Sequence, residues 1–262
     1  MAKELRGLRP RIFLTGASSG LGAALARHYA ARGAELGLVA RRAAALEALA
    51  ASLPGRPQIY CRDVGDADGM AEAAAAFIAR GGPPDIVIAN AGISVGTLTG
   101  ERGDLPAFRR VFETNVLGLA HSFAPFVPAL SATGHGTLVG IASVAGIRGL
   151  PGATAYSASK AAAMAYLEGL RIELRDSGVA VVTIAPGYIA TPMTAVNRYP
   201  MPFLLSADEA ARRIARLIDR RVSYAVVPWQ MAVAAKLLRL LPNAIFDRLA
   251  ARAGRKPRHL PT

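Results

Sequence analysis

One cysteine, Cys61, stands in the 262-residue chain, so no intramolecular disulfide can form. That excludes a disulfide-stapled secreted scaffold and fits a reducing cytoplasm. The apolar-leaning run "PQIYCRDV" predicts Cys61 buried on a strand rather than held out as a reactive thiol. Histidine is nearly as scarce. His28, His121, His135 and His259 are the four, none stands at ligand spacing from another, and no metal is expected. Acidic residues are few, 18 against 31 lysines and arginines, for a formal net charge of +13. Such an excess raises nucleic acid as a partner. Aromatics make up only 6%, however, and do not interleave with the basic residues, so no nucleic-acid partner is expected. No run of about 20 apolar residues is free of charge, which argues against a membrane span. The opening "MAKELRGLRPR" has no apolar core before Ile12, so a secretory signal is not expected.

Apolar residues are plentiful at 52%, alanine and glycine foremost, enough for a sizeable core. Short β-branched runs alternate with longer alanine-rich ones. "RIFLT" precedes a glycine loop and a helix to about Arg32. "ELGLVA" precedes a helix from about Ala43 to Leu53. "PQIYCRDV" precedes a helix ending near Arg80, where Gly81-Gly82-Pro83-Pro84 stops it. "DIVIAN" is a fourth strand, followed by a long helix around Leu105 to Leu130 with candidate breaks at Pro125 and Pro128. "GTLVGIAS", "VAVVTIAP" and "SYAVV" are further strands. Between them fall a helix around Tyr156 and another that runs from a capping box at Ser206-Ala207-Asp208-Glu209 to about Asp219. Strands that are apolar throughout belong to a sheet covered on both faces. The alternation predicts an α/β fold, a doubly wound parallel sheet of about seven strands with helices on both faces. A single domain over 1–262 is expected, with a core of about 10–228 and a C-terminal helical extension of about 229–258.

Thr15-Gly16-Ala17-Ser18-Ser19-Gly20-Leu21-Gly22 joins the first strand to the first helix. Glycines let backbone approach a pyrophosphate, and the helix N-terminus offers it unpaired N–H groups. NAD binders usually carry a carboxylate at the end of the second strand. Here that place reads Arg41-Arg42, which suits the forked, charged hydrogen bonds a 2′-phosphate accepts. NADP(H) is therefore favoured over NAD(H), against the plainer reading of a solvated arginine pair. Asp63, followed by Val64, is read as ending the third strand, where it would bond an adenine amino group or simply cap the next helix.

"AYSASK" places a phenol, Tyr156, and an amine, Lys160, four residues apart in an alanine-rich run. With TGASSGLG, Asp63-Val64, Asn90-Ala91-Gly92, Asn115 in "ETNVLG", Ser143, and Pro186-Gly187 with Thr191, the chain resembles the classical short-chain dehydrogenase/reductase (SDR) family, with its Rossmann-type fold, over about residues 10 to 228. The resemblance implies that Tyr156 is the general acid and base, that Lys160 lowers its pKa and bonds the nicotinamide ribose, and that Ser143 holds the substrate oxygen. It implies that Asn115 holds a water relaying protons to Lys160. Gly16, Ser18, Ser19, Gly20, Leu21, Gly22, Arg41, Arg42, Asp63, Val64, Asn90, Ala91 and Gly92 would line the cofactor cleft. Pro186, Gly187, Ile189 and Thr191 would border its nicotinamide end.

Tyr188 to Leu205, "YIATPMTAVNRYPMPFLL", is apolar and proline-bearing, as a lid over a hydrophobic carbonyl or alcohol would be; Tyr188 and Met193 are its candidate substrate contacts. The extension carries seven basic residues from Lys236 to Arg258 against Asp247 alone. Its first helix, Trp229 to Leu241, is apolar over more than half its circumference, with Lys236 and Arg239 on one narrow face. A second helix is expected from Phe246 to Ala253. Packing in a homodimer or homotetramer or over the substrate loop, peripheral contact with a membrane, and packing on its own domain all fit that pattern. The expected activity is interconversion of ketone and secondary alcohol in the cytoplasm or at a membrane surface; a non-catalytic NADP-binding sensor or scaffold is the alternative.

Overall fold

The structure is a computed structural model describing residues 9–251 and 254–258. Ala253 and His259, named above, and Arg252, one of the seven basic residues of the tail, lie outside the described residues. The chain alternates β1 (Arg11–Thr15), α1 (Gly20–Ala31), β2 (Glu35–Ala40), α2 (Ala43–Ser52), β3 (Gln58–Cys61), α3 (Ala67–Gly81) and β4 (Ile86–Ala89). A helical stretch follows, comprising α4 (Leu105–Phe112), α5 (Gly118–Phe123) and α6 (Val127–Thr133). Next come β5 (Gly136–Ile141), α7 (Thr154–Glu173), β6 (Val179–Pro186), β7 (Ile189–Ala190), α8 (Pro192–Ala195), β8 (Leu205–Ser206), α9 (Ala207–Asp219) and β9 (Tyr224–Val227). The extension holds α10 (Trp229–Leu240) and α11 (Asn243–Ala250).

Seven strands form one sheet in the order β3-β2-β1-β4-β5-β6-β9, every pair parallel. β4 and β5 are buried at every position because helices cover both faces. One layer joins Leu21 and Leu25 of α1, Leu46 of α2 and Ile214 of α9 to the sheet. The other joins Phe77 of α3, Phe123 of α5, Leu130 of α6 and Leu167 of α7. Phe13 of β1 anchors this second layer, its ring 4.7 Å from Phe126 and 5.5 Å from Phe77. Strand order reverses between β1 and β4, so a crevice opens at their C-terminal ends, where such folds bind ligands.

Several local expectations are corrected. The long helix is broken twice: a π-helical turn spans Glu113–Leu117, and Ala124 to Phe126 leave the helix before Pro128 enters the first turn of α6, where its missing N–H is tolerated. The whole run Arg102–Thr133 is long and apolar enough to cross a membrane by composition, but Phe123, Phe126 and Leu130 are fully buried against the sheet. Cys61 is exposed, because β3 is the sheet edge and only alternate residues turn inward. That strand ends at Cys61, leaving Asp63 in the loop beyond it. At α9, Ser206 accepts from the Glu209 N–H at 3.2 Å, but the Glu209 carboxylate turns to Arg212 and Arg213, so the reciprocal half of the box is absent among the described residues. The second tail helix starts at Asn243 rather than Phe246. The short parallel pair β7–β8 had no signal in the sequence.

Candidate active site

The glycine loop leaves β1 and packs directly on the loop after β4. A Cβ on Gly16, whose φ is +67, would lie 2.7 Å from Ala91 Cα, and one on Gly22 would lie 2.1 Å from the Gly16 carbonyl. Backbone this close admits only glycine. Asn90 holds the two loops together: Nδ2 donates to the Thr15 and Gly16 carbonyls at 3.0 and 3.2 Å, while the Asn90 and Ala91 N–H groups donate to Thr15 Oγ1 at 3.2 Å. Leu21 is buried beneath. Ser19 caps α1 without a side-chain bond into the first turn, so those N–H groups are left open to an anion. Thr191 roofs the loop, its Cγ2 3.1 Å from where a Gly20 Cβ would be.

Arg42 reaches across the loop and donates to Ser18 Oγ at 3.1 Å and Ser19 Oγ at 2.9 Å. Arg41 pairs with Asp63 at 3.5 Å. Asp63 also closes its own turn by accepting from the Gly65 N–H at 2.9 Å. Val64 is buried, and its carbonyl accepts from His121 Nδ1 at 2.9 Å.

Beyond the crevice, Gly92 lies against Asn115 and Lys160: a Cβ there would be 3.2 Å from Asn115 Oδ1 and 3.5 Å from Lys160 Nζ. Asn115 sits in the π-helical turn, buried. Its amide donates to the Ile93 carbonyl and to Ser159 Oγ, both at 3.0 Å, and its Oδ1 accepts from the Ile93 N–H at 2.8 Å. Its side chain is thus committed to shaping the 91–93 loop.

Ser143, just after β5, caps a short 3-10 turn by accepting from the Ala145 N–H at 3.2 Å, and its hydroxyl lies close enough to the Tyr156 phenol to favour the phenolate. Lys160 lies one helical turn beyond Tyr156, on the same side of α7. Its Nζ is 6.0 Å from the Tyr156 ring centroid and donates to the Ile141 carbonyl at 2.8 Å. Burial lowers the Lys160 amine to about 8, so it is still mainly a cation at neutral pH. The expected lowering of the phenol is not seen. Burial raises Tyr156 above the ordinary value, opposed only by the Ser143 hydrogen bond. Desolvation of the phenolate outweighs an amine whose own proton is engaged by a backbone carbonyl.

Pro186 ends β6, and the Gly187 N–H donates to the Val227 carbonyl at 2.8 Å. Ile189 is buried, with its carbonyl accepting from Thr194 Oγ1 at 2.5 Å; Thr191 caps α8 through Thr194. Tyr188 and Tyr199 meet edge to face, 6.3 Å between centroids, on the substrate side. Met193 is exposed and its carbonyl accepts from Lys256 Nζ at 3.2 Å. A groove of about 550 Å³ lies elsewhere, between the outer face of α7 (Met164, Arg171) and α10 (Ala235, Lys236), and neither Tyr156 nor Ser143 lines it.

The family profile described as short chain dehydrogenase matches residues 10–201, most of the chain. The chain belongs to the short-chain dehydrogenase family. An uncharacterized oxidoreductase of Myxococcus xanthus is 40% identical over 244 residues, 91% of this chain and 95% of that one. A sulfoacetaldehyde reductase of Chromohalobacter salexigens is 36% identical, over 71% of this chain and 75% of that one. Among solved structures, a 3-ketoacyl-(acyl-carrier-protein) reductase of Brucella melitensis complexed with NADH superposes with a TM-score of 0.77 at 25% identity, over 83% of this chain and 96% of that one. This short-chain dehydrogenase is thus an NAD(P)-dependent oxidoreductase with a nucleotide-binding Rossmann fold. The close-packed glycine loop, open helix start and Arg42 fit a dinucleotide.

Sequence reasoning gave no site role to two contributors in this short-chain dehydrogenase: Thr15, which fastens the Asn90 loop, and Lys256, which stands 5.9 Å from the Tyr156 ring centroid. Tyr199, within the expected lid, packs on Tyr188. For Lys256 the chain held no signal, since 96 positions separate it from Lys160 and only the fold joins them.

Proposed function

We propose that this protein interconverts a hydrophobic ketone and its secondary alcohol using NADP(H), working as a reductase in the cytoplasm. One observation carries the reading: the Tyr156 phenol, the Ser143 hydroxyl and the Lys160 amine converge beside a loop built for a dinucleotide. When bound, the cofactor supplies or accepts hydride. Tyr156, protonated at neutral pH because burial raises it, gives its proton to the carbonyl oxygen. Ser143 holds that oxygen and steadies its developing charge. Lys160 contributes positive charge near the phenol and an ammonium donor toward the cofactor ribose. Asn115 keeps the 91–93 loop in place, and the relay of protons through a water beside it belongs to the same proposal.

NADP(H) is favoured because Arg42 spans the glycine loop with Arg41 next to it, and no carboxylate occupies the end of β2. A hydrophobic substrate is supported by the apolar 188–205 segment, where Phe203 and Leu204 are exposed. Two similar proteins, a sulfoacetaldehyde reductase and a 3-ketoacyl-(acyl-carrier-protein) reductase, are both reductases, which favours the reducing direction.

Tyr156→Phe tests the reading. We expect carbonyl turnover with NADPH to fall by roughly a hundred- to ten-thousandfold while NADPH binding is kept. Cofactor binding by the wild type with no turnover on any carbonyl would instead make the protein a sensor or scaffold.

A further inference from the structure

Residues 254–258 cross the mouth of the candidate site as a strap. A Cβ on Gly254 would lie 2.4 Å from Tyr199 Cβ, one on Gly152 would lie 3.1 Å from the Arg255 side chain, and one on Gly96 would lie 2.2 Å from the Lys256 carbonyl. The Gly96 N–H donates to the Pro257 carbonyl at 2.7 Å. At its end Arg258 forks onto Asp104, at 2.9 and 3.2 Å, and pairs with Glu101 at 3.3 Å. The strap is therefore fixed to the loop after β4 on one side and to the substrate segment on the other.

Fastened this way, the strap delivers Lys256 to the reacting end of the site. Its Nζ is 5.9 Å from the Tyr156 ring centroid, the same reach as Lys160 from within the helix. The two amines are occupied differently. Lys160 is fully enclosed and bonded to the Ile141 carbonyl. Lys256 is half-buried, and among the described residues its one acceptor is the Met193 carbonyl. An ammonium has three N–H donors. Among the described residues no carboxylate pairs with it, while Arg258, two positions on, takes both Asp104 and Glu101. A half-buried cation without a counter-ion is costly as a structural element alone, and such groups cluster where a ligand supplies the missing charge. Burial lowers its pKa to about 8, which leaves it mainly charged at neutral pH.

We infer that Lys256 is a specificity residue, and that the substrate of this carbonyl reductase carries an anionic group, a carboxylate or its chemical equivalent, a few bonds from the carbonyl. The inference rests on the reductase reading and sharpens it from a hydrophobic carbonyl to an amphiphilic oxo acid. The apolar segment 188–205 takes the chain, and Lys256 takes the acidic end.

Matched pairs that differ only in charge test it: acetoacetate and levulinate against their methyl esters, with wild type, Lys256→Met and Lys256→Arg. We expect the wild type to prefer each acid in kcat/KM. K256M should lower the acid-to-ester ratio by about ten- to a hundredfold, mainly through KM, with K256R restoring much of it. A loss shared equally by acid and ester, an unchanged ratio, or a wild-type preference for the esters would overturn the inference and leave the reductase reading standing. Calorimetric binding of acetoacetate in the presence of NADP separates the two. Binding that K256M weakens, with no turnover by any form, would keep the anion site and sink the reductase reading. Neither turnover nor a binding difference would sink both.

Discussion

At the scale of single residues, Tyr156 is decided by two opposed effects. Burial disfavours the phenolate, while the Ser143 hydroxyl favours it, and burial is the larger. A raised phenol is a weaker acid, but it stays fully protonated at neutral pH, and the phenolate that would accept a proton is scarce. Carbonyl reduction needs the protonated form, which dominates below its pKa. Alcohol oxidation needs the phenolate, whose fraction below that pKa grows tenfold per pH unit. We therefore expect kcat/KM for reduction to be level through neutral pH. Oxidation should climb about tenfold per pH unit, with no plateau below the ordinary phenol value of 10.0. Steady-state rates in both directions across pH check this; an oxidation plateau near neutrality would show that the neighbouring amines outweigh burial.

At the scale of elements, the β2–α2 connection is what our proposed preference for NADP(H) rests on. β2 is buried to its last residue, and the chain then turns out at Arg41 and Arg42, both exposed and both beside the glycine loop. Arg42 is oriented by two serine hydroxyls, so its guanidinium is already in place for a phosphate. Arg41→Asp with Arg42→Ala removes that fork and adds a ribose acceptor. KM for NADPH should rise about ten- to a hundredfold, and NADH should become the better cofactor. Kinetics with each dinucleotide measure it, and an unchanged preference would mean that other groups read the 2′-phosphate. In the extension, α10 and α11 pack on the loop after Ser143. Arg239 donates to the Ile147 carbonyl at 3.0 Å, and Arg148 bonds the Leu241 carbonyl and stacks over Phe246 at 3.9 Å. Arg239, one of the two basic residues on the narrow face of the first tail helix, is thus turned onto the protein.

At the scale of the whole molecule, that inward turn leaves the apolar side of α10 to solvent. Trp229 is 68% exposed, Leu237 61% and Leu240 80%, with Ile245 and Leu249 of α11 exposed nearby. A contiguous face of this kind marks an interaction surface. Our proposal seats a second copy of the chain there, in a homodimer or homotetramer, since the most exposed side chains of the face are a tryptophan and leucines and Arg239 is engaged by the Ile147 carbonyl. Leu237→Glu with Leu240→Glu should weaken association at least about a hundredfold, given ~1.5–3 kcal/mol per buried leucine. Sedimentation velocity reads the change. Flotation of the wild type with anionic vesicles, lost in the double variant, would move the surface to a membrane instead.

Periodicity and turn chemistry are local, so the strands, most helices and the glycine loop were legible in the chain, as was the order of motifs that marks the family. Gly81-Gly82-Pro83-Pro84 stopped α3 where expected because glycine and proline act on their own backbone. What depends on neighbours distant in sequence was not legible. Cys61 is exposed because β3 found no outer partner, and Tyr156 is less acidic than its spacing from Lys160 implied because burial is a property of the packed site. Lys256 came to the phenol because the strap was pinned by Arg258 to Asp104, 154 positions earlier. Helix, turn and loop follow from residues within a few positions of one another, whereas desolvation and long-range charge are set only once the chain has closed on itself.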